Sequence, residues 1–216
     1  MIIWLITIFF GLTSLTPSPP EAEAQTPEQD LKPRQVIVRT EVAKGAEYPL
    51  KVKGVLLIES GPEVVWGVLT DYDHLEGVFP GLEKSRILKK DAGEVLVEQQ
   101  YRGLIFLSRS MVFSSRETPM QKIDFQRLGG KSRVAGYWSL ESVVGGSTRV
   151  TMEVAVRPRR FLPIWLVGGK LRSQVPHGLI SIRQKSLTRL NKDSSGDPEI
   201  IYVGQEQEDP PSQEGF

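Results

Sequence analysis

The stretch SGPEVVWGVLTDYDHLEGVFPGLEKSRILKK, residues 60–90, decides the fold that we predict for this chain of 216 residues. Ser60 and Glu63 have the spacing of a helical capping box, and Pro62 suits a first turn because its missing N–H has no partner there. The apolar residues that follow recur at helical spacing: Val64, Val65, Val68, Leu69 and Tyr72. The stretch therefore predicts a short amphipathic helix whose apolar face packs inward.

Turn-forming residues come after this helix: they are Asp71, Asp73, Gly77, Pro80 and Gly81. Between them lie the apolar side chains of Leu75, Val78 and Phe79, which need a buried environment. A short second helix or a loop over a cavity would provide one.

Apolar and β-branched runs predict seven strands, at residues 50–59, 85–90, 94–102, 104–117, 122–128, 132–144 and 147–157. Glycine and proline mark the turns between the later strands, as is typical of hairpins and meanders. We therefore predict a single antiparallel sheet.

A long apolar segment at residues 163–190 predicts the last helix. Its broken helical stripe consists of Ile164, Val167, Leu171, Val175, Leu179, Ile182 and Leu190. Because Pro176 cannot donate a backbone hydrogen bond, we expect a kink or two helical pieces that meet near residues 173–177. The order of these elements indicates an α+β fold in which a curved sheet surrounds a long C-terminal helix.

Several motifs occur in an order that is informative about the family. They are PEVVW at 62–66, LTDY at 69–72, FPGL at 79–82, GYWSL at 136–140 and GSTRVT at 146–151, followed by Pro158 and Pro163. In this order they resemble the START-like (SRPBCC) superfamily, in particular its polyketide cyclase and coenzyme Q-binding branch. The resemblance covers roughly residues 48–191 and implies a helix-grip fold with a ligand cavity between the sheet and the helix.

Alternation along the strands indicates which side chains face this cavity. Ile105, Leu107, Arg109, Met111 and Phe113 share one face of a predicted strand. Ile123, Phe125 and Trp138 are further apolar candidates, for which core packing is the default role. The predicted cavity-lining set is Leu75, Phe79, Arg109, Met111, Phe113, Phe125 and Trp138.

Arg109 is the one charged member of this set. A guanidinium on an apolar face needs a partner, which is a ligand carbonyl, a carboxylate such as Glu98 or Asp124, or water. We favour a structural pair over a ligand role, because buried charges are usually satisfied internally.

The sequence offers little support for catalysis, and we assign no catalytic residue. It has no cysteine and only two histidines, His74 and His177, which excludes thiolate zinc sites and multi-histidine metal centres. We therefore predict no metal and no cofactor. Asp71 and Asp73 would not share a helix face. The candidates for acid or base chemistry are Tyr101, His74, Glu98 and Arg109.

The two ends of the chain differ from its middle. Residues 2–10 are nearly all apolar, and Ala22-Glu23-Ala24 fits the pattern that precedes signal-peptide cleavage. We expect residues 1–24 to be removed from an exported, periplasmic protein; the alternative is a membrane anchor through residues 2–15. A linker at 25–47, a domain at 48–191 and a disordered acidic tail at 192–216 complete the predicted organisation.

Positive charge is concentrated in the middle of the chain. Residues 32–190 carry 26 Lys plus Arg against 15 Asp plus Glu, yet they form no nucleic-acid-binding motif, and export would remove such a partner. Arg157, Arg159 and Arg160 directly precede an apolar segment that contains Trp165. This order is typical of a docking patch for an anionic membrane. The alternative is solvated arginines with Trp165 packed in the core.

Two function classes follow from the residues and the resemblance. We favour a non-catalytic carrier that holds a hydrophobic small molecule, such as a lipid, an isoprenoid quinone or a polyketide-like compound, in the cavity. The alternative is a cyclase or dehydratase that acts on a polyketide-like substrate in the same place, because one fold hosts both.

Overall fold

The computed structural model describes residue 32 and residues 34–102, 110–190 and 198–203. Within them, nine strands form one curved sheet. The strands are β1 (Gln35–Val42), β2 (Leu50–Ile58), β3 (Leu82–Asp91), β4 (Glu94–Tyr101), β5 (Ser110–Thr118), β6 (Lys122–Leu128), β7 (Arg133–Val143), β8 (Ser147–Arg157) and β9 (Glu199–Val203). The helices are α1 (Pro62–Leu69), α2 (Ile164–Arg189) and a 3₁₀ turn at Tyr72–His74.

The strand order is β3-β4-β5-β6-β7-β8-β2-β1-β9, and every neighbouring pair is antiparallel except β1 and β9. The predicted α+β class and antiparallel sheet are confirmed. Each of the seven predicted strands is present, and residues 104–109, the start of the fourth, lie outside the described residues. The sheet has nine strands rather than seven, because β1 and β9 add to it from the segments predicted as linker and acidic tail.

Helix α2 packs across the sheet and closes the fold. It is one continuous α-helix, which corrects the predicted alternative of two pieces near residues 173–177. On β2, a side chain at Gly54 would meet Val175 and Leu179 at 2.7 Å, so the helix approaches the sheet backbone closely here. This packing on both sides of Pro176 supports the helix where one hydrogen bond is lost. Among the described residues, no helix has the length and apolar character needed to cross a membrane.

The start of α1 differs in detail from the prediction. Gly61 occupies the N-cap position, and no side chain caps the helix. Ser60 is buried, and its carbonyl oxygen accepts a hydrogen bond of 2.7 Å from Thr148 Oγ1. The inward face also includes Trp66, whereas Val64 is only half-buried. The predicted capping box is therefore wrong, because Ser60 lies one residue before the N-cap and its hydroxyl donates to the carbonyl oxygen of Gly61 at 3.4 Å.

A buried ion pair joins α2 to the end of β2. Arg183 is 1% exposed and donates hydrogen bonds of 2.9 and 3.1 Å to the two carboxylate oxygens of Glu59. Burial alone would raise the pKa of Glu59, but the hydrogen bonds and charge of Arg183 outweigh it and hold this pKa below its usual value. The pair fixes the C-terminal half of α2 against the sheet.

Candidate ligand cavity

A cavity of about 140 Å³ lies between the sheet, the C-terminal end of α1 and helix α2. Its wall is built mainly by inward-facing residues of the central strands: Val97, Met111, Phe113, Ile123, Phe125, Val134, Trp138, Met152, Val154 and Val156. Leu171 and Val175 of α2 cover it, and Leu69 and Leu75 line the side nearest α1. The site is therefore an apolar chamber of the kind that holds small molecules.

The structure places six members of the predicted lining set on the wall of this cavity: Leu75, Phe79, Met111, Phe113, Phe125 and Trp138. Four of them form two aromatic pairs. The ring centroids are 5.9 Å apart for Phe79 and Trp138 and 6.1 Å apart for Phe113 and Phe125. The seventh, Arg109, lies outside the described residues. That these side chains bind a ligand stays a prediction.

Polar groups that the sequence did not mark as ligand-binding also reach the cavity. Gln99, Tyr101, Ser115 and Gln174 line it, and the Tyr101 hydroxyl donates a hydrogen bond of 2.9 Å to Gln99 Oε1. Burial raises the pKa of Tyr101 far above its ordinary value, so the phenol stays protonated at neutral pH. The described wall contains no Asp, Glu, Lys, Arg or His. It therefore offers neutral hydrogen-bonding groups and no charge.

A second tyrosine, Tyr72, lies on the same wall, where its hydroxyl donates to Glu117 Oε1 at 2.9 Å. Burial and the nearby negative charge of Glu117 raise the pKa of Tyr72. This phenol is consequently a poor proton donor to a substrate, because its raised pKa makes it a weak acid and its proton is already donated to Glu117.

The other candidates for acid or base chemistry lie away from the cavity. His74 is 78% exposed and pairs with Asp71 at 2.6 Å. Glu98 accepts hydrogen bonds from Arg86 at 2.6 Å and Ser110 at 3.0 Å. The described residues bring no three potential metal ligands together. Of the candidates that the structure describes, only Tyr101 contacts the site.

The pair formed by His74 and Asp71 gives a testable pH dependence. The hydrogen bond and charge of Asp71 raise the pKa of His74 above its ordinary value. The stability that this pair contributes is present below the ordinary histidine pKa and is lost as the pH rises through the folded-state value. In a proton NMR titration, Asp71→Asn should lower the pKa of His74 markedly. Asp73→Asn is the control and should change it less; equal effects would contradict the assignment.

The predicted docking residues lie where β8 ends and α2 begins. Trp165 is 75% exposed and so does not pack in the core. Arg157 donates hydrogen bonds to the carbonyl oxygens of Ala46, at 2.6 Å, and Glu47, and so holds the loop between β1 and β2. Arg159 and Arg160 are exposed. Membrane contact through these residues stays a prediction.

Comparison with known proteins identifies related families. The family model described as polyketide cyclase / dehydrase and lipid transport matches residues 58–181. No curated protein matches the chain in sequence.

Solved structures share the fold. A STAR-related lipid transfer protein from Xanthomonas axonopodis has a TM-score of 0.57 and 17% identity over 68% of this chain and 90% of that one. The Zhui aromatase/cyclase from Streptomyces sp. R1128 has a TM-score of 0.54 and 16% identity over 65% and 93% of the two chains. Human STARD10 has a TM-score of 0.57 and 13% identity over 70% and 69%. At these identities the similarity shows the fold alone.

Proposed function

The chain belongs to the polyketide cyclase/dehydrase and lipid transport family, and from that membership we propose that it carries a hydrophobic molecule without transforming it. Family and fold indicate either hydrophobic ligand binding or polyketide cyclisation. The observation that favours the carrier is the cavity wall, whose described residues are apolar or neutral. General acid–base catalysis is most efficient with a group whose pKa lies near neutral pH, and burial moves the pKa of both tyrosines in the wall further from it.

The wall also limits the chemistry of the ligand. A charged group would enter an apolar chamber in which no described side chain carries the opposite charge, and such burial costs several kcal/mol or more. A hydroxyl or carbonyl group is acceptable, because Gln99, Tyr101, Ser115 and Gln174 supply hydrogen-bond partners. The ligand is therefore neutral, with few polar atoms.

Cavity size adds a further limit. A volume of about 140 Å³ is close to the cavity of about 150 Å³ that holds one benzene molecule in another protein. A larger ligand consequently inserts only its ring or carbonyl-bearing end, and the rest of it extends toward the surface. An isoprenoid quinone or a polyketide-like molecule fits this description better than a lipid that must be buried whole.

Ligand extraction provides the direct test. Organic extraction of the purified protein followed by mass spectrometry should yield a reproducible neutral, apolar compound. Val154→Phe fills the cavity and should reduce the yield several-fold, whereas overpacking costs only about 1–3 kcal/mol, so the fold should survive. Val144→Phe is the matched control, because Val144 is fully exposed in a turn. Circular dichroism checks that each variant is folded.

Two results would contradict the carrier. An equal yield from a folded Val154→Phe protein would place the ligand elsewhere. A compound that is recovered chemically changed after incubation with the protein would favour the alternative, a cyclase or dehydratase. The observation that keeps this alternative is the Tyr101 hydroxyl, a buried donor in the cavity next to an amide oxygen. Tyr101→Phe should then abolish turnover, whereas a carrier should retain its ligand with reduced affinity.

A further inference from the structure

Three large apolar side chains are exposed together at the start of α2. Phe161 is 92% exposed, Trp165 75% and Leu166 39%. Other exposed apolar residues, such as Leu88 and Val144, lie singly on separate elements. A local group of this kind, which includes a tryptophan, marks an interaction site rather than an ordinary surface. Residues 161–166 are called the apolar tip below.

The apolar tip lies at the most basic end of the sheet. Segments 43–49, 127–133 and 157–172 meet there, because Leu50 pairs with Val156 and Arg133 with Arg157 in register. Together these segments carry nine Lys and Arg residues and a single acidic one, Glu47. Glu47 already has an ionic partner, because Arg133 Nη1 lies 3.1 Å from its carboxylate oxygen Oε1. This end therefore has a large excess of positive charge.

Three cations beside the apolar tip have no acidic partner in the part of the chain that the structure describes. Within the described part of the chain, Arg159, Arg160 and Lys170 form no ion pair. Burial and the charge of Arg159 lower the pKa of Arg127, as expected where guanidinium groups are crowded. Apolar groups surrounded by unpaired cations complement a surface with negative headgroups above hydrocarbon.

The apolar tip also adjoins the cavity. It lies in the chain between Val156 and Leu171, and both of these residues line the cavity wall. Pro80 is the one exposed residue among the described lining residues, so the cavity opens near it, two residues before β3 begins at Leu82. Tyr101 ends β4 and pairs with Leu82, so this opening lies at the same end of the sheet as the apolar tip. A surface that binds the apolar tip would therefore face the opening.

We propose that the apolar tip docks on an anionic lipid bilayer, with Phe161, Trp165 and Leu166 in the interface and Arg159, Arg160 and Lys170 on the headgroup phosphates. The inference rests on the proposed carrier function, because docking next to the opening lets an apolar molecule pass between bilayer and cavity with little exposure to water. Each cation is attracted to an anionic surface, and added salt weakens this attraction.

Fluorescence quenching by vesicles tests the docking at one residue. The full chain carries Trp4→Phe, so that the apolar N-terminal segment does not contribute to the signal. Trp66 and Trp138 are buried and Trp165 is exposed. Vesicles of phosphatidylcholine and phosphatidylglycerol with brominated acyl chains should quench Trp165 and shift its emission to shorter wavelength. Trp165→Phe should remove this response.

Charge variants test the electrostatic part. The double change Arg159→Glu and Arg160→Glu should weaken vesicle binding, measured from the Trp165 response, roughly tenfold or more at low salt. The control is the double change Lys90→Glu and Arg116→Glu, on exposed residues of β3 and β5 at the end of the sheet away from the apolar tip, which alters the net charge equally. It should leave vesicle binding within about a factor of two, because charges beyond a Debye length from the surface are screened.

Three outcomes would overturn the docking proposal. The first is that brominated vesicles do not quench Trp165, and the second is that they quench the Trp165→Phe variant to the same extent. The third is that the two double charge variants lose vesicle binding equally. A protein partner for the apolar tip would produce the first. If docking fails while the extracted ligand remains, the carrier stands without the membrane contact. If docking is observed and no ligand is extracted, the carrier proposal fails instead.

Discussion

Glu59→Gln should lower the free energy of unfolding by about 3 kcal/mol, at the low end of the cost of breaking a buried ion pair. The physical reason is Arg183, which is 1% exposed and would keep its charge after losing its partner. We place the effect at the low end because the Glu59 side chain is 33% exposed and water can reach it. Urea unfolding at neutral pH measures the change.

The same contact has a defined pH dependence. Because the pKa of Glu59 is lowered in the folded protein, its contribution is present above the ordinary glutamate pKa and is lost as the pH falls through the folded-state value. The unfolding free energies of parent and variant should therefore converge in acid.

A second substitution tests the cause of this loss. Adding Arg183→Met to Glu59→Gln removes the unpaired charge and should recover most of the lost stability. Glu63→Gln, an exposed change on α1, should alter stability by no more than about 0.5 kcal/mol. If the double variant is no more stable than Glu59→Gln alone, an unpaired buried charge is not the reason.

Gly136→Ala should cost about 3 kcal/mol, at the upper end of the cost of overpacking a core. The added methyl group would lie 2.1 Å from the carbonyl oxygen of Glu153 and 2.5 Å from Cζ of Phe125. The carbonyl is held in the ladder between β7 and β8 and cannot retreat without separating the strands. The ring of Phe125 would be displaced within the cavity wall. The midpoint temperature of thermal unfolding and the yield of extracted ligand should therefore both decrease.

Another glycine provides the matched control. Gly169 lies in α2 and has no atom within 4 Å of an added methyl group, so Gly169→Ala should raise stability by about 0.5–1 kcal/mol. Combining Gly136→Ala with Phe125→Leu relieves only the contact with the ring and should restore part of the loss. Complete restoration would show that the Glu153 carbonyl does not limit the site.

The sequence predicts the central sheet well because alternation and turn residues are local signals. It misses β1 and β9, for which composition is misleading. Residues 35–42 follow a segment rich in proline and glutamate, yet Val36 and Val38 are fully buried. Residues 199–203 have the strand-like sequence EIIYV inside an acidic tail, and pairing with β1 decides their structure. Long-range pairing of this kind has no local signature.

The candidate site is predicted in its apolar part and incompletely in its polar part. Met111 and Phe113 follow from strand alternation, which needs no knowledge of distant contacts. Gln99 follows Val97 at the same two-residue period, and Gln174 lies one turn after Leu171, so a signal for both exists. This signal is easily missed, because a polar residue within an apolar pattern is ordinarily predicted to face solvent. Export and cleavage after Ala24 lie outside the described residues and stay predictions.

Strand β9 has a consequence for self-association. Without it, β1 would present eight residues of unpaired backbone at the edge of the sheet, in a run rich in β-branched side chains. Such an edge is a template for strand exchange between molecules. The five residues of β9 pair with residues 35–39 and so cover five of these eight, and the Tyr202 ring lies under Arg172 of α2, with 5.0 Å between the guanidinium carbon and the ring centroid. The edge that remains is the five-residue strand β9, and a shorter edge is a poorer template for adding copies of the molecule along the sheet.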